Sequence, residues 1–443
     1  MVAAAFLVIA TYRLRYAFYG YIALFPMLPA YIAIPIVKGG AGMSLQRILT
    51  YEMALLTGLS ILLLPNVWRP VFHSILEWRN YLVAFLVLCV TKFVSTLFSG
   101  NAIGLVYWVD ELLLVSISLL LGVRYISTIA ELRKVVAVLL SVLTFCVLLS
   151  FIEYFMGHNL LANVVSIEVA TAGENVLEGK ERDGAYRNMV LFDNPLSNAE
   201  YLVLSASVLL AAFSLRIMKY WVLGIIPFYF LAIVFTGSRS PWLVMVMSMS
   251  ISAYLLLISR QSAPVRFGSK LALMVSGALF ILFIYWAINN PTTLLSSVSF
   301  MTQQSVSDNI STLSRLFQYA LIPPKIFGNE YSGFLGAGMK SDFLENVGVP
   351  LDNYYLRVLI EGGVVGLLAF IYMQYVSIMK VTLKTTFSEI TPVFRRRIRF
   401  SILSFFVSFA AYKIFLSMTY NNPYYYLMVG GLIALTQRNQ STR

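Results

Sequence analysis

Runs of about twenty predominantly apolar residues recur along the chain, separated by links that hold most of the charge, which is the pattern of helices spanning a bilayer. Twelve such windows are legible, near residues 16–37, 47–65, 80–98, 103–122, 134–156, 197–215, 217–236, 239–259, 270–289, 353–380, 400–419 and 422–437. The first ten residues are also apolar, but Arg13 and Arg15 follow too soon for a full span, and they read as a short interfacial or broken segment. Two links, 157–196 and 290–352, are too long to be turns. They divide the chain into N-terminal helices (1–156), a loop (157–196), central helices (197–289), a large, partly helical loop (290–352) and C-terminal helices (353–443). The expected fold class is therefore an all-α integral membrane protein of about 12 transmembrane helices with two large loops on one side.

Composition agrees with the pattern. Only 12% of the 443 residues are charged and 59% are hydrophobic, whereas a soluble domain carries roughly a quarter charged residues. An ordinary water-soluble enzyme is thereby excluded. Cys89 and Cys146 lie inside apolar runs and suggest neither a disulfide framework nor a metal site. The net charge of +12 could point to nucleic acid, but its distribution points elsewhere. With a cytoplasmic N-terminus, alternate links carry Arg13 and Arg15, Arg69 and Arg79, Arg124, Arg133 and Lys134, Arg216 and Lys219, and Arg395, Arg396, Arg397 and Arg399, as the positive-inside rule requires. Both long loops then lie outside.

The candidate chemistry gathers on that outer side. Glu52, Lys92, Asp110, Glu111, Glu200, Arg357, Glu361 and Lys413 all fall in the outer halves of their helices, where they either share an outward-facing cavity or lock helices together as structural pairs. Arg182, Arg187, Arg239, Arg315 and Arg357 are outer arginines where orientation rules predict few. Arg239 follows Gly237-Ser238 in a tight turn at a helix start, a setting that suits an anion, with interfacial snorkelling as the plainer account. Asp352 is placed to cap the helix that begins near residue 353. Tyr354, Arg357 and Glu361, spaced i, i+3, i+7, share one face of it, and Gly362, Gly363 and Gly366 suit close helix packing. Tyr331, Tyr354, Tyr355 and Trp242 could stack on sugars, and Tyr420, Asn421, Asn422 and Tyr424 form a second polar-aromatic patch; an interfacial aromatic belt accounts for both equally. No histidine pair has metal spacing. A cation held by Asp308, Glu330, Asp342 or Glu345 is a minor alternative.

Taken in order, Arg182-Asp183-Gly184, Phe192-Asp193-Asn194-Pro195, Gly237-Ser238-Arg239, Arg315, Gly336-Ala337-Gly338, Asp352-Asn353-Tyr354-Tyr355-Leu356 and Glu361-Gly362-Gly363-Val364-Val365-Gly366 resemble the O-antigen ligase and polymerase superfamily, the Wzy and WaaL type of bacterial envelope protein. The resemblance covers most of the chain, residues 182 to 366 especially. It implies a GT-C-like, metal-independent, inverting glycosyltransferase of the bacterial inner membrane, needing no cofactor, with cytoplasmic termini and a periplasmic site. Its implied partners are undecaprenyl-diphosphate-linked oligosaccharide, membrane lipid and a chain-length-regulating co-polymerase, with no nucleic acid. Arg239 and Arg315 match the family's arginine positions and would stabilise the leaving diphosphate, with Arg182, Arg187, Arg357, Asn353, Tyr354 and Tyr355 as substrate-binding candidates. Ligases of the superfamily carry histidine where this chain has Asp352, a departure that favours a polymerase over a ligase. Asp352 is the candidate base and Glu361 the runner-up, or Asp352 orients a sugar. The rival expectations are a ligase that transfers glycan to lipid A-core or protein, and a transporter or flippase.

Overall fold

The computed structural model describes residues 14–29, 32–34, 43–160, 180–182, 185–238, 240–258, 318, 322, 326–327, 333–341, 351–383 and 391–437. Its helices are α1 (Leu14–Met27), α2 (Leu45–Leu63), α3 (Pro65–Leu76), α4 (Arg79–Phe98), α5 (Ala102–Tyr125), α6 (Ile129–Met156), α7 (Pro195–Ser214), α8 (Lys219–Phe235), α9 (Ser240–Ile258), α10 (Tyr354–Leu383), α11 (Pro392–Tyr412) and α12 (Asn422–Gln437). Two antiparallel strand pairs, β1 (Ala33–Ile34) with β2 (Met43–Ser44) and β3 (Lys180–Arg182) with β4 (Ala185–Arg187), complete the description.

The chain is a multi-pass, all-α membrane protein. Among the described residues, six helices are long and apolar enough to cross a bilayer, namely α4, α5, α6, α7, α9 and α10; α2 and α3 pass only as a pair, bent by 108° at their junction. Pro65 sits at that bend, where its ring and missing N–H prevent continuation of α2. The window near 16–37 does not form one helix: α1 ends at Met27, just before Pro29, and the chain turns into the β1–β2 pair. The window near 400–419 is displaced: α11 starts at Pro392, since its helical turns continue through the arginine-rich segment, and it ends at Tyr412. α8 and α12 are shorter than a full crossing, at 17 and 16 residues. The window 270–289, and all but 333–341, 351–352 and isolated positions of the loop 290–352, lie outside the described residues.

Local sequence chemistry sets the helix ends. Asn101 Oδ1 accepts the Gly104 N–H at 3.1 Å to start α5, and Thr128 Oγ1 accepts the Glu131 N–H at 3.1 Å to start α6. Asn194 does the same for α7, with Pro195 in the first turn, and Gly157 closes α6 at a positive φ of 69°. Packing is tightest where glycines let backbones meet. A Cβ on Gly122 of α5 would lie 2.3 Å from the Leu427 carbonyl of α12, and one on Gly430 would lie 2.2 Å from the Leu119 carbonyl, so neither position has room for a side chain. Gly362 and Gly366 of α10 face Lys92 and Thr91 of α4, the close packing expected of those glycines.

Antiparallel succession brings one set of helix ends together. The C-termini of α1, α4, α6, α8 and α11 and the N-termini of α2, α5, α7, α9, α10 and α12 form the polar end of the bundle. The opposite, basic end holds Arg15, paired with Glu131 at 2.6 Å, and Arg399, whose Nε donates to the Val381 carbonyl.

Candidate functional site at the polar end

Helix α10 supplies the centre. Asn353, not Asp352, caps it: Asn353 Oδ1 accepts the Leu356 N–H at 3.0 Å, while its Nδ2 donates to the Ile414 carbonyl at 3.0 Å. The cap falls one residue later than the sequence suggests: Asp352 lies before the helix, its N–H donating to Gln318 Oε1 at 3.1 Å. Tyr354, Arg357 and Glu361 then project from one face, as their spacing requires. Arg357 Nε donates to Glu361 Oε1 at 2.7 Å, and Arg357 Nη1 to the Ser417 carbonyl at 3.2 Å. Lys92 of α4 reaches Glu361 Oε2 at 2.8 Å and both oxygens of Glu111 of α5, at 2.9 and 3.0 Å. Tyr354 Oη donates to Glu111 at 3.2 Å and accepts from Asn422 Nδ2 at 2.9 Å. Two bases and two acids thus neutralise one another where isolated charges would be costly. A small pocket open to the surroundings adjoins Lys92 and Glu111, walled by Phe85, Leu88, Cys89, Trp108 and Tyr426.

A second knot joins α7 to the link between α11 and α12. Lys413 Nζ lies 2.8 Å from Glu200, with both side chains fully buried. Asn421 Nδ2 donates to the other Glu200 oxygen at 2.8 Å, and Lys413 donates to the Met418 carbonyl at 2.7 Å. The Lys413 ammonium also stands 5.0 Å from the Tyr354 ring centre, which connects this knot to the α10 cluster. Tyr420 Oη donates to Asp193 at 2.9 Å; burial and that neighbouring carboxylate hold its phenol above the ordinary range. Asn421, Asn422 and Tyr420 are therefore tied into buried polar contacts.

The third group lies at the α8–α9 turn. Arg187, from β4, donates through Nε to the Thr236 carbonyl at 2.9 Å and through Nη2 to Ser238 Oγ at 2.7 Å. Gly237 has φ 60°, and a Cβ there would come within 3.0 Å of the Arg187 side chain, so the glycine admits the arginine to the turn. Asn188 continues the contact by donating its N–H to the Phe235 carbonyl at 3.0 Å. Composition and spacing gave no hint of the residue that orders this segment. Glu153 is fully buried near the end of α6, and it accepts the N–H groups of Met189 and Val190 at 2.9 and 2.5 Å and the Tyr186 hydroxyl at 2.6 Å. The available signal was a lone acid in the last apolar turn of a span.

A polar ribbon runs from Asn421 through Glu200, Lys413, Tyr354, Glu111, Lys92 and Glu361 to Arg357. α7 links it to the Arg187 segment, since Asn421 Nδ2 donates to the Ser197 carbonyl at 3.3 Å and the next residue, Asn198, donates to Asn188 Oδ1 at 3.4 Å. Of the predicted site residues, Glu361, Arg357, Tyr354 and Asn353 converge on α10, and Asp352 precedes them. Arg187 is at the α8–α9 turn. Tyr355 faces away from the ribbon, its hydroxyl lying within hydrogen-bond distance of Gln374, at 2.7 Å, and of the Ala410 carbonyl, at 2.9 Å. Trp242 stacks on Phe230. Arg182 lies on β3. Arg239, Arg315, Tyr331 and the acids Asp308, Glu330, Asp342 and Glu345 lie outside the described residues. Among the predicted charges, Asp110 pairs with Arg47 at 3.1 Å.

The loop Gly333–Gly338 packs directly on α10. At Gly363, with φ 65° and ψ −168°, the helix is broken. The Ile360 carbonyl, released from the helical ladder, accepts the Ala337 N–H at 2.6 Å, and the Val364 N–H donates to the Gly333 carbonyl at 3.0 Å. The loop thus occupies the break and completes the hydrogen bonding of the segment that carries Arg357 and Glu361.

Neither protein-family models nor curated proteins give a match to this chain.

Proposed function

We propose that the chain is a polysaccharide polymerase of the Wzy type, acting on undecaprenyl-diphosphate-linked saccharide. In this reading the bundle completes about 12 spans of the bacterial inner membrane with cytoplasmic termini, and the polar end with its two large loops faces the periplasm. The observation that supports it best is the placement of Arg187 on the Gly237-Ser238 turn, at the same end of the bundle as the polar ribbon that ends at Arg357. Guanidinium groups at this end of the bundle suit an anionic leaving group at the membrane boundary, the role that the resemblance implies for Arg239 and Arg315.

The reaction is a single displacement. An acceptor hydroxyl on one lipid-linked repeat attacks the anomeric carbon of the growing chain; the C–O bond to the carrier breaks, and undecaprenyl diphosphate leaves with the bonding electrons. The hydroxyl proton passes to a base. Asp352 is assigned that role because it stands where ligases of the resembled superfamily carry histidine, immediately before the Asn353 cap of α10; both oxygens of Glu361 are engaged by Arg357 and Lys92. Glu361 then holds Arg357 in position.

The test is to incubate purified protein in nanodiscs with a polyprenyl-diphosphate repeat unit as sole substrate and to resolve the glycans by gel. A ladder that Arg239→Ala and Arg315→Ala abolish, with insertion and folding unchanged, supports the reading. A ladder undiminished in Arg239→Ala removes its central assumption, and transfer only when lipid A-core or a protein acceptor is added moves the assignment to a ligase. One observation favours a transporter as second reading: Lys413 and Glu200 form a wholly buried pair of the kind found on ion pathways. Movement of lipid-linked saccharide across vesicles, without any elongation, would select it.

A further inference from the structure

We propose that Arg47, Tyr107 and Lys340 form a receptor for the phosphorylated headgroup of a membrane lipid, separate from the polar ribbon. Two cations from distant parts of the chain converge on one ring there. The Arg47 guanidinium carbon stands 4.7 Å and the Lys340 ammonium 4.8 Å from the centre of the Tyr107 ring. Cation–π attraction rewards each contact. Asp110 offsets Arg47 at 3.1 Å, whereas Lys340 makes no ion pair with any described residue. The excess positive charge suits a ligand with anionic oxygens.

The lysine is delivered by fixed backbone. Met339 donates its N–H to Thr96 Oγ1 at 3.1 Å, and the Lys340 carbonyl accepts from Asn101 Nδ2. Lys340 itself is in the left-handed region at φ 51°, where an L residue stays only if its surroundings hold it. The same lip carries the start of α5, whose first N–H groups add positive potential.

What lies beside the ring indicates a lipid over a soluble anion. On α5, Ile103, Val106 and Val109 are exposed, and on α2, Leu55 and Leu59 are exposed in register with Arg47 and Tyr51. A headgroup held at Tyr107 therefore has apolar helix faces next to it for its tail. The shared chemistry is a phosphate or diphosphate on a long apolar chain, whether a resident anionic phospholipid or a polyprenyl diphosphate. This inference rests on membrane embedding and is independent of the polymerase reading.

Native mass spectrometry of the full chain in non-ionic detergent tests it, titrating separately with phosphatidylglycerol, a long-chain polyprenyl diphosphate and zwitterionic phosphatidylcholine. The expected result is about tenfold preference for at least one anionic lipid over phosphatidylcholine. Lys340→Glu should abolish that preference, Tyr107→Leu should weaken it, and Tyr107→Phe, which keeps the ring, should retain it. Lys340 is exposed, so its variant should keep the wild-type size-exclusion profile. Whichever anionic lipid responds identifies the source. Unchanged affinity of Lys340→Glu for both anionic lipids, or no preference in the wild type, overturns the proposal. Glycan transfer plays no part in the readout, so failure of the polymerase reading would leave this result interpretable.

Discussion

Lys92 on α4 and Glu361 on α10 meet at 2.8 Å with side chains only 4% and 6% exposed. The same lysine also holds Glu111 on α5, so one ammonium joins three helices. In a bilayer-spanning bundle this contact determines how α10 presents its polar face, and it makes the pair sensitive to loss of either partner.

Lys92→Met should therefore destabilise the protein by roughly 3–5 kcal/mol, because it leaves buried carboxylates with too little compensating charge. The fall in midpoint temperature of detergent-solubilised protein measures this. A variant as stable as the wild type would show that the cluster is already open to water.

Lys413 and Glu200 provide a cleaner cycle, since each is wholly buried and they form a direct pair. Lys413→Met and Glu200→Gln should each be destabilising, and the double variant should recover part of the loss, with a coupling of about 0.5–3 kcal/mol. Strict additivity of the two losses would refute a direct energetic link.

Gly363→Ala should expel the inserted loop. A Cβ there would stand 2.0 Å from the Phe334 carbonyl oxygen, and φ 65° with ψ −168° is a region that only glycine occupies comfortably. We expect faster proteolysis within 333–341 and lower thermal stability. An unaltered cleavage pattern would mean that the break does not depend on the glycine.

Arg187→Ala should lower glycan transfer by roughly 10²-fold in the gel assay while sparing insertion, the magnitude seen when one donor to a developing anion is lost. Arg187→Lys should not restore activity, because an ammonium cannot hold both Thr236 and Ser238 with the same planar geometry. Full activity in either variant would remove Arg187 from the site.

Some of this was legible in the sequence because it is local. Apolar run length located α4 to α7, α9 and α10 to within a few residues. The i, i+3, i+7 spacing put Tyr354, Arg357 and Glu361 on one face, and the glycines at 362 and 366 marked a close approach. Such features depend on helical period, hydropathy and backbone freedom, which neighbouring residues set among themselves. Only the tertiary structure decided which acid neutralises which base, that Asn353 rather than Asp352 caps α10, and that Glu153 orders residues 186–190. The filling of the Gly363 break by residues 333–337, and the meeting of Arg47 with Lys340 on Tyr107, were decided there too. These relationships join segments far apart in the chain, and a buried charge takes its partner from whichever helix packs beside it, a choice that hydrophobic periodicity leaves open.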